Sequence, residues 1–400
     1  MLRRLVVLGS IGLALVLGAR FALSELTERA WQARRETLLA LALDQPKERR
    51  PWELRFESLQ DRLLSSPRFQ EITRSPYHAS QAWESTPPRP LDAFERVWLE
   101  SLENELVGLN GILAELRRLS DDELAWHGEV RKLSVLRECT NALCGRAWLA
   151  LDDSDAEGSD DEVSDDAIAP RGNLAALGAF DDALRLARAT DDGSTVGTMI
   201  AATSEGIVLA ALRGALARGL DPREARRALV PRLEPWVYTS EHARRVIRRD
   251  LSYVSADPGE ITRPREALAY FAPVEEALET ADAPLERTPW ARSAAPSEDL
   301  HDGVGQWNGA TRLLHGRHAR RNVALSALAV AAFRAERGAF PASLAEIPDL
   351  PSEHALDPLT GAPLAYVYDG ETARVGPAAW GERVDVWRDL EDSPYLWILR

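Results

Sequence analysis

Cysteine and lysine are both scarce in this chain of 400 residues. The two cysteines, Cys139 and Cys144, exclude a disulfide-stapled scaffold and a zinc or iron–sulfur site with four thiolates. With 48 Lys and Arg against 63 Asp and Glu, the net charge of −15 has the wrong sign for general nucleic-acid binding. Hydrophobic residues make up 45% of the chain, a composition that excludes disorder throughout.

The common catalytic motifs are missing too. The sequence contains no HExxH zinc motif, no phosphate-binding P-loop and no GxSxG nucleophile elbow. Acidic residues are so frequent that no pair of carboxylates stands out, and no serine is distinguished by its context. The sequence therefore predicts no catalytic and no cofactor-binding residue, and it favours a protein that is not an enzyme.

An apolar segment near the N-terminus has the pattern of a membrane anchor. Residues 5–23 are apolar except for Arg20, and Arg3 and Arg4 precede them. About twenty helical residues span a bilayer, so the segment suffices if Arg20 reaches the far interface. The basic residues favour a cytoplasmic N-terminus. We expect a single-pass signal-anchor in the inner (cytoplasmic) membrane, with the body on the exported side; a cleaved signal peptide and a buried core helix are the alternatives.

The rest of the chain shows mainly helical periodicity. We therefore expect a mainly α protein with an N-terminal membrane helix, helical hairpins or a bundle, and a small C-terminal α+β module containing a β-hairpin. The expected divisions are the anchor at 1–23, a helical domain at 24–151, an acidic linker at 152–170, a second helical domain at 171–337 and the tail at 338–400.

Residues 152–166 are strongly acidic, with nine Asp or Glu in fifteen positions. Several of them fall at ligand positions of a calcium-loop pattern, but Ser164 stands where that pattern needs a bidentate Glu. The stretch therefore has two interpretations, a weak calcium site or a solvated linker. The candidate calcium ligands are Asp153, Asp155, Glu157 and Asp161.

His315 and His318 form a second candidate metal site. A three-residue spacing places both on one face of a helix, as in some zinc sites. His301, Asp299 or Asp302 could supply a third ligand. The alternative is a pair of surface histidines among arginines, whose positive charges would oppose a cation.

The C-terminal part of the chain carries a resemblance. Residues 321–347 read RNVALSALAVAAFRAERGAFPASLAEI, and residues 357–370 read DPLTGAPLAYVYDG. With residues 174–219 and 300–370, this order resembles uncharacterised membrane-anchored helical proteins of environmental bacteria. About fifty residues are also similar to the tails of type II secretion pseudopilins. The segment 5–23 lacks the Glu of the pseudopilin processing motif, so the resemblance implies a shared module and not a pilus subunit.

These features favour a membrane-tethered, exported scaffold or protein-interaction protein of the bacterial envelope, with a protein partner and no nucleic acid. An accessory component of a secretion or pilus-like assembly is the first alternative, and it depends on the pseudopilin-like tail. An envelope hydrolase without a recognisable motif is the second.

Overall fold

The structure is a computed structural model. It describes residues 50–76, 78–85, 87–120, 133–157, 169–191, 195–234, 301–358, 360–378 and 396–399, together with Arg29, Leu124 and Val246. The predicted anchor at residues 5–23 therefore lies outside the described residues.

Five short helices form the first part of the body. Proline at the first helical position starts α1 and α2, where a missing backbone N–H costs nothing. Asp92 and Glu95 form a reciprocal capping box at the start of α4: Asp92 accepts a hydrogen bond from the Glu95 N–H, and Glu95 accepts one from the Asp92 N–H, both at 2.9 Å. The helices are α1 (Pro51–Ser65), α2 (Pro67–Thr73), α3 (Ser80–Glu84), α4 (Ala93–Glu105) and α5 (Leu109–Leu116).

Replacing Asp92 by alanine is expected to lower the free energy of unfolding by about 1 kcal/mol, because the first turn of α4 loses its cap. Urea unfolding of the full-length protein measures this loss. Asp61→Ala, at an exposed position within α1, is the control and should change stability by less than about 0.5 kcal/mol. Equal losses in both variants would contradict a capping role.

Longer helices form the centre of the body. Helix α8 packs against α6, α7 and α10, and α9 packs against α7 and α10. The helices are α6 (Leu133–Glu157), α7 (Ala169–Ala189), α8 (Thr195–Ala217), α9 (Pro222–Leu233) and α10 (His301–Arg337).

One helix within the described residues, Val196–Ala217 in α8, is long and apolar enough to cross a membrane by length and composition. Most of it is buried in protein, and Glu205 in its middle pairs with Arg317 and Arg321 of α10. We interpret α8 as the central core helix of the body, because neighbouring helices cover most of its apolar surface.

A small antiparallel sheet follows the helices. Strands β1 (Ala365–Tyr368), β2 (Ala373–Gly376) and β3 (Trp397–Leu399) lie in the order β1-β2-β3. The β1–β2 hairpin turns at Asp369 and Gly370, where Gly370 has a φ of +97° and Asp369 accepts hydrogen bonds from the Glu371 and Thr372 N–H groups. The predicted fold class, mainly α with a C-terminal β-hairpin module, is confirmed.

A single cluster of buried residues connects these elements. It extends from Phe56 in α1 through Trp148 in α6 and Phe180 in α7 to Val330 in α10 and Val375 in β2. The expected division into two helical domains assumed that each would bury a core of its own. Helices α6 and α7, on either side of the acidic stretch, pack along each other and share this cluster.

The acidic stretch also begins differently from the expected linker. Helix α6 continues to Glu157, and Asp152 is buried within it. Asp152 accepts hydrogen bonds from the Leu91 N–H at 3.2 Å and from Arg96 at 2.6 Å, and Arg218 pairs with its second oxygen. These donors compensate the buried charge, so the sequence Asp152–Glu157 folds as the end of a helix. Residues 158–168 lie outside the described residues.

Candidate functional site

An apolar cavity lies where the C-terminal sheet meets the helical body. Its volume is about 500 Å³, and it opens to solvent. Four parts of the chain form its walls: α3 with the loop after it, the end of α8 with the start of α9, the end of α10, and the segment of β3. The residues that line it are Trp83, Ser85, Pro87, Pro88, Arg213, Leu216, Ala217, Gly219, Leu220, Pro222, Ala331, Arg334, Ala335, Gly338, Phe340, Leu396, Ile398 and Leu399.

Two sharp turns of the backbone shape the cavity. Gly219, with a φ of +100°, ends α8, and Pro222 starts α9 three residues later under the cap of Asp221. Gly338, with a φ of +76°, ends α10 in the same way. Glycine adopts such left-handed φ values without strain, so both helices stop at the edge of the cavity and the chain turns along its wall.

One wall of the cavity is supported by a pair of tryptophans. The rings of Trp83 in α3 and Trp148 in α6 lie 6.0 Å apart between centroids, and both are fully buried. Gly214 in α8 lies against both tryptophans, and a Cβ at this position would lie 2.9 Å from Trp148 Cζ2. Close packing of α8 on these rings therefore depends on the absence of a side chain at position 214.

Two arginines provide the positive charge of the cavity. Arg213 Nη1 donates a hydrogen bond to the Leu396 carbonyl oxygen at 2.9 Å, which ties α8 to the segment of β3. The Arg334 guanidinium carbon lies 4.5 Å from the centroid of the Phe340 ring, which fixes it by a cation–π contact. Within the described part of the chain, the cavity lining includes no Asp or Glu, but the carboxyl of Glu84, between the lining residues Trp83 and Ser85, interacts electrostatically with Arg213.

A buried ion network holds α8 and α10 together beneath this site. Glu205 accepts hydrogen bonds from Arg317 Nε at 2.9 Å and Arg321 Nη2 at 2.5 Å, and Arg317 Nη1 donates to Asp191 at 2.6 Å. Thr198 donates to the other Asp191 oxygen at 3.0 Å. Burial lowers the pKa of Arg321 to about 10, so the guanidinium remains charged at neutral pH. The network fixes the register of the two helices that carry Arg213 and Arg334.

Three of the four candidate calcium ligands, Asp153, Asp155 and Glu157, belong to helix α6. Asp153 is an exposed residue of α6, with Oδ1 3.6 Å from Arg96 Nη1. Positions 155 and 157 belong to the same helix, and position 155 lies about 200° around the axis from position 153. Asp161 lies outside the described residues.

The second metal candidate falls on α10. His318 is buried beside Arg317, while His301 and His315 belong to the same helix but their side chains lie outside the described set. Across the residues that the structure describes, no group of three or more His, Cys, Asp or Glu side chains could hold a metal ion.

Cys139 and Cys144 are buried free thiols in the unbroken helix α6. Burial raises the pKa of both thiols, so each remains protonated and unreactive at neutral pH. They act as small core residues and contribute no chemistry to the cavity.

Arg213 and Arg334 were not identified as site residues in the sequence. They are two of 48 basic residues, and nothing in their local context marks them. Only the docking of the sheet on α8 and α10 places them in one cavity.

Comparison of the chain with protein-family models, curated proteins and solved structures finds no match. The geometry and charge of the cavity are therefore the basis for a proposed function.

Proposed function

We propose that this protein is a membrane-tethered binding protein of the bacterial envelope, and that its exported body binds an amphipathic carboxylate. The observation that carries the proposal is the cavity, which combines apolar walls with Arg213 and Arg334 and has no acidic residue among its described lining. A ligand with an apolar chain and one negative group matches both properties.

The size of the cavity suits a small ligand. A volume of about 500 Å³ lies within the range of pockets that enclose small molecules, which is roughly 300–1,000 Å³. Each methylene group that moves from water onto walls such as Leu216, Phe340 and Ile398 contributes about 0.8 kcal/mol. A chain of ten or more carbons therefore offers enough apolar surface for specific binding.

The charge of the cavity selects the head group. A guanidinium binds a carboxylate through two parallel hydrogen bonds, and such charged pairs are stronger than neutral ones. The contact of Arg213 with Leu396 and the stacking of Arg334 on Phe340 restrict both side chains before a ligand arrives. This restriction lowers the entropy lost on binding.

The expected membrane helix at residues 5–23 supports the tethered part of the proposal. It would hold the cavity beside a bilayer, where amphipathic carboxylates with long apolar chains concentrate. The resemblance of the tail to pseudopilin tails supports the alternative of an accessory role in secretion, in which the cavity would bind the apolar C-terminal residues of a partner protein.

The binding proposal predicts that dodecanoate binds to the full-length protein in detergent with a one-to-one stoichiometry, measured by isothermal titration calorimetry. Dodecanol, with the same chain and no charge, should bind at least tenfold more weakly. Arg334→Met keeps much of the apolar stem and removes the charge, so it should weaken dodecanoate binding by about 10–100-fold. Arg55→Met is the control, because Arg55 of α1 pairs with Glu115 of α5 and does not line the cavity.

Equal affinities for dodecanoate and dodecanol would contradict charge recognition. An absence of dodecanoate binding, combined with a stoichiometric protein partner in a crosslinked pull-down from native membranes, would overturn the proposal in favour of the protein-partner alternative. In that case Arg334→Met should release the partner and Arg55→Met should not.

A further inference from the structure

Ser80, His78 and Glu138 form a row of hydrogen-bonded side chains beside α3. His78 Nδ1 lies 3.0 Å from Ser80 Oγ, and His78 Nε2 lies 3.2 Å from Glu138 Oε2. Sixty residues separate Glu138 from His78 in the sequence, so the packing of α6 beside α3 creates the row.

The neighbours of His78 indicate which ring nitrogen carries the proton. The backbone N–H of Ser80 donates to Nδ1 at 3.3 Å, which requires a lone pair on Nδ1. A neutral imidazole has one donor and one acceptor, so with Nδ1 as acceptor Nε2 donates to Glu138, and the Asn141 amide nitrogen beside Nε2 donates to the same carboxylate instead of to the ring. The lone pair on Nδ1 then faces the Ser80 hydroxyl, as a general base faces a nucleophile.

Glu138 is suited to orient this histidine. Its side chain is fully buried on α6, and it accepts hydrogen bonds from Arg137 Nη2 at 2.8 Å and from Asn141 Nδ2 at 3.3 Å. Asn141 Nδ2 also lies 3.2 Å from His78 Nε2. Burial opposes ionisation of Glu138, but the hydrogen bonds from His78 and Arg137 outweigh it and lower the pKa of the carboxyl. Glu138 therefore stays negative and can stabilise an imidazolium at position 78.

The row is both fixed and accessible. The His78 ring contacts the Trp98 ring with 4.2 Å between centroids, which holds its plane. The His78 side chain is 22% exposed and Ser80 is half-buried, whereas Glu138 is shielded from solvent. The Ser80 hydroxyl also donates a hydrogen bond to the carboxyl of Glu84, one turn along α3, so it must rotate towards His78 Nδ1 before it can transfer its proton. The nucleophile is thus at the surface, and the group that orients its base is inside.

We propose that Ser80, His78 and Glu138 form a catalytic site that hydrolyses carboxylic esters by acyl transfer. Ser80 Oγ attacks the ester carbonyl carbon, and its proton passes to His78 Nδ1. The bond from that carbon to the alcohol oxygen breaks, and His78 returns the proton to the departing alcohol. Water then attacks the acyl-serine with His78 as base, which releases the carboxylic acid and restores the Ser80 hydroxyl.

The site differs from the serine-protease triad in the roles of the imidazole nitrogens, because Nδ1 and not Nε2 faces the serine. Ser80 and His78 also lie only two residues apart, so the same contacts could simply stabilise the start of α3. A structural role and a catalytic role predict opposite results with a serine-directed probe.

The test is reaction of the full-length protein in detergent with an alkyl fluorophosphonate, followed by peptide mass spectrometry. We expect stoichiometric modification of Ser80 and measurable turnover of p-nitrophenyl acetate. Ser80→Ala should abolish both, and Glu138→Gln should slow both by at least tenfold. Ser65→Ala is the matched control, because Ser65 is exposed at the end of α1, does not line the cavity, and its hydroxyl lies 2.9 Å from the Asp61 and Arg62 carbonyl oxygens and contacts no base among the described residues.

His78→Gln separates catalysis from folding. If this variant keeps the helical circular dichroism and melting temperature of the parent protein, its labelling rate should still fall by 100-fold or more. An unmodified Ser80 in the folded parent protein, or a labelling rate unchanged in folded His78→Gln, would overturn the proposal. Ser80→Ala should retain dodecanoate binding, so the experiment tests the catalytic proposal independently of the proposal that the cavity binds a carboxylate.

Discussion

Replacing Glu205 by alanine is expected to lower the free energy of unfolding by about 3–5 kcal/mol, a large part of the 5–15 kcal/mol that a typical domain has. Glu205, Arg317 and Arg321 are each 2% exposed, so water does not stabilise their charges. The substitution removes the carboxylate that both guanidinium groups contact. Of the carboxylates in this network, Asp191 alone remains for Arg317 and Arg321.

A double variant shows whether charge or packing causes this loss. In Glu205→Leu combined with Arg321→Met, the charge of Arg321 disappears with its partner, while Arg317 keeps its contact with Asp191. Buried ion pairs can often be replaced by apolar residues at little cost, so we expect the double variant to recover most of the lost stability. Urea unfolding measures both variants, with Glu71→Ala at an exposed position of α2 as the control. A double variant as unstable as Glu205→Ala would indicate that lost packing, and not an unpaired charge, causes the destabilisation.

Gly214→Ala is expected to lower the free energy of unfolding by about 1–2 kcal/mol, although alanine is the better helix former. The new Cβ would lie 2.9 Å from Trp148 Cζ2 and 3.2 Å from Trp83 Cβ, both closer than normal contacts. The two tryptophans are fully buried, so neither can move aside without disturbing the core. Overpacking of this kind costs about 1–3 kcal/mol, and helix propensity returns at most about 1 kcal/mol.

Gly178→Ala provides the matched comparison. Gly178 lies in the middle of α7, and a Cβ there would meet no atom within 4 Å. Only the higher helix propensity of alanine then affects stability, and the Gly178→Ala variant should be more stable than the parent protein by about 0.5–1 kcal/mol. Thermal unfolding of the two variants side by side should give shifts of opposite sign. A gain of stability in both would show that α8 packs less tightly on the tryptophans than the structure indicates.

Local features of the fold were predictable from the sequence. Pro222 after Asp221 marked the start of α9, and Asp369–Gly370 marked the hairpin, because such residues act through their own backbone. The start of the acidic stretch was not predictable. Asp152 is helical and buried because Arg96 and Arg218 meet it in space, and charge density along the sequence does not show those partners.

The candidate sites could not be predicted, because tertiary contacts create them. The cavity unites Trp83, Arg213, Arg334 and Ile398, and each of these lies more than sixty positions from the next. Ser80 and His78 are close in sequence, but without the buried carboxylate of Glu138 they have no distinguishing pattern. One sequence offers periodicity and turn signals, and neither reports which distant side chains meet.

The hydrogen bond from Arg213 to the Leu396 carbonyl has a kinetic consequence. It joins residues 183 positions apart, so the cavity closes only when one of the longest loops of the chain has closed. We expect contacts of such long range to slow folding, because the loop must close before they can form. Partial unfolding that releases β3 from α8 would remove one wall of the cavity and leave the helices in place. A ligand in the cavity would oppose this release by mass action, and protection of β3 from proteolysis would then report occupancy.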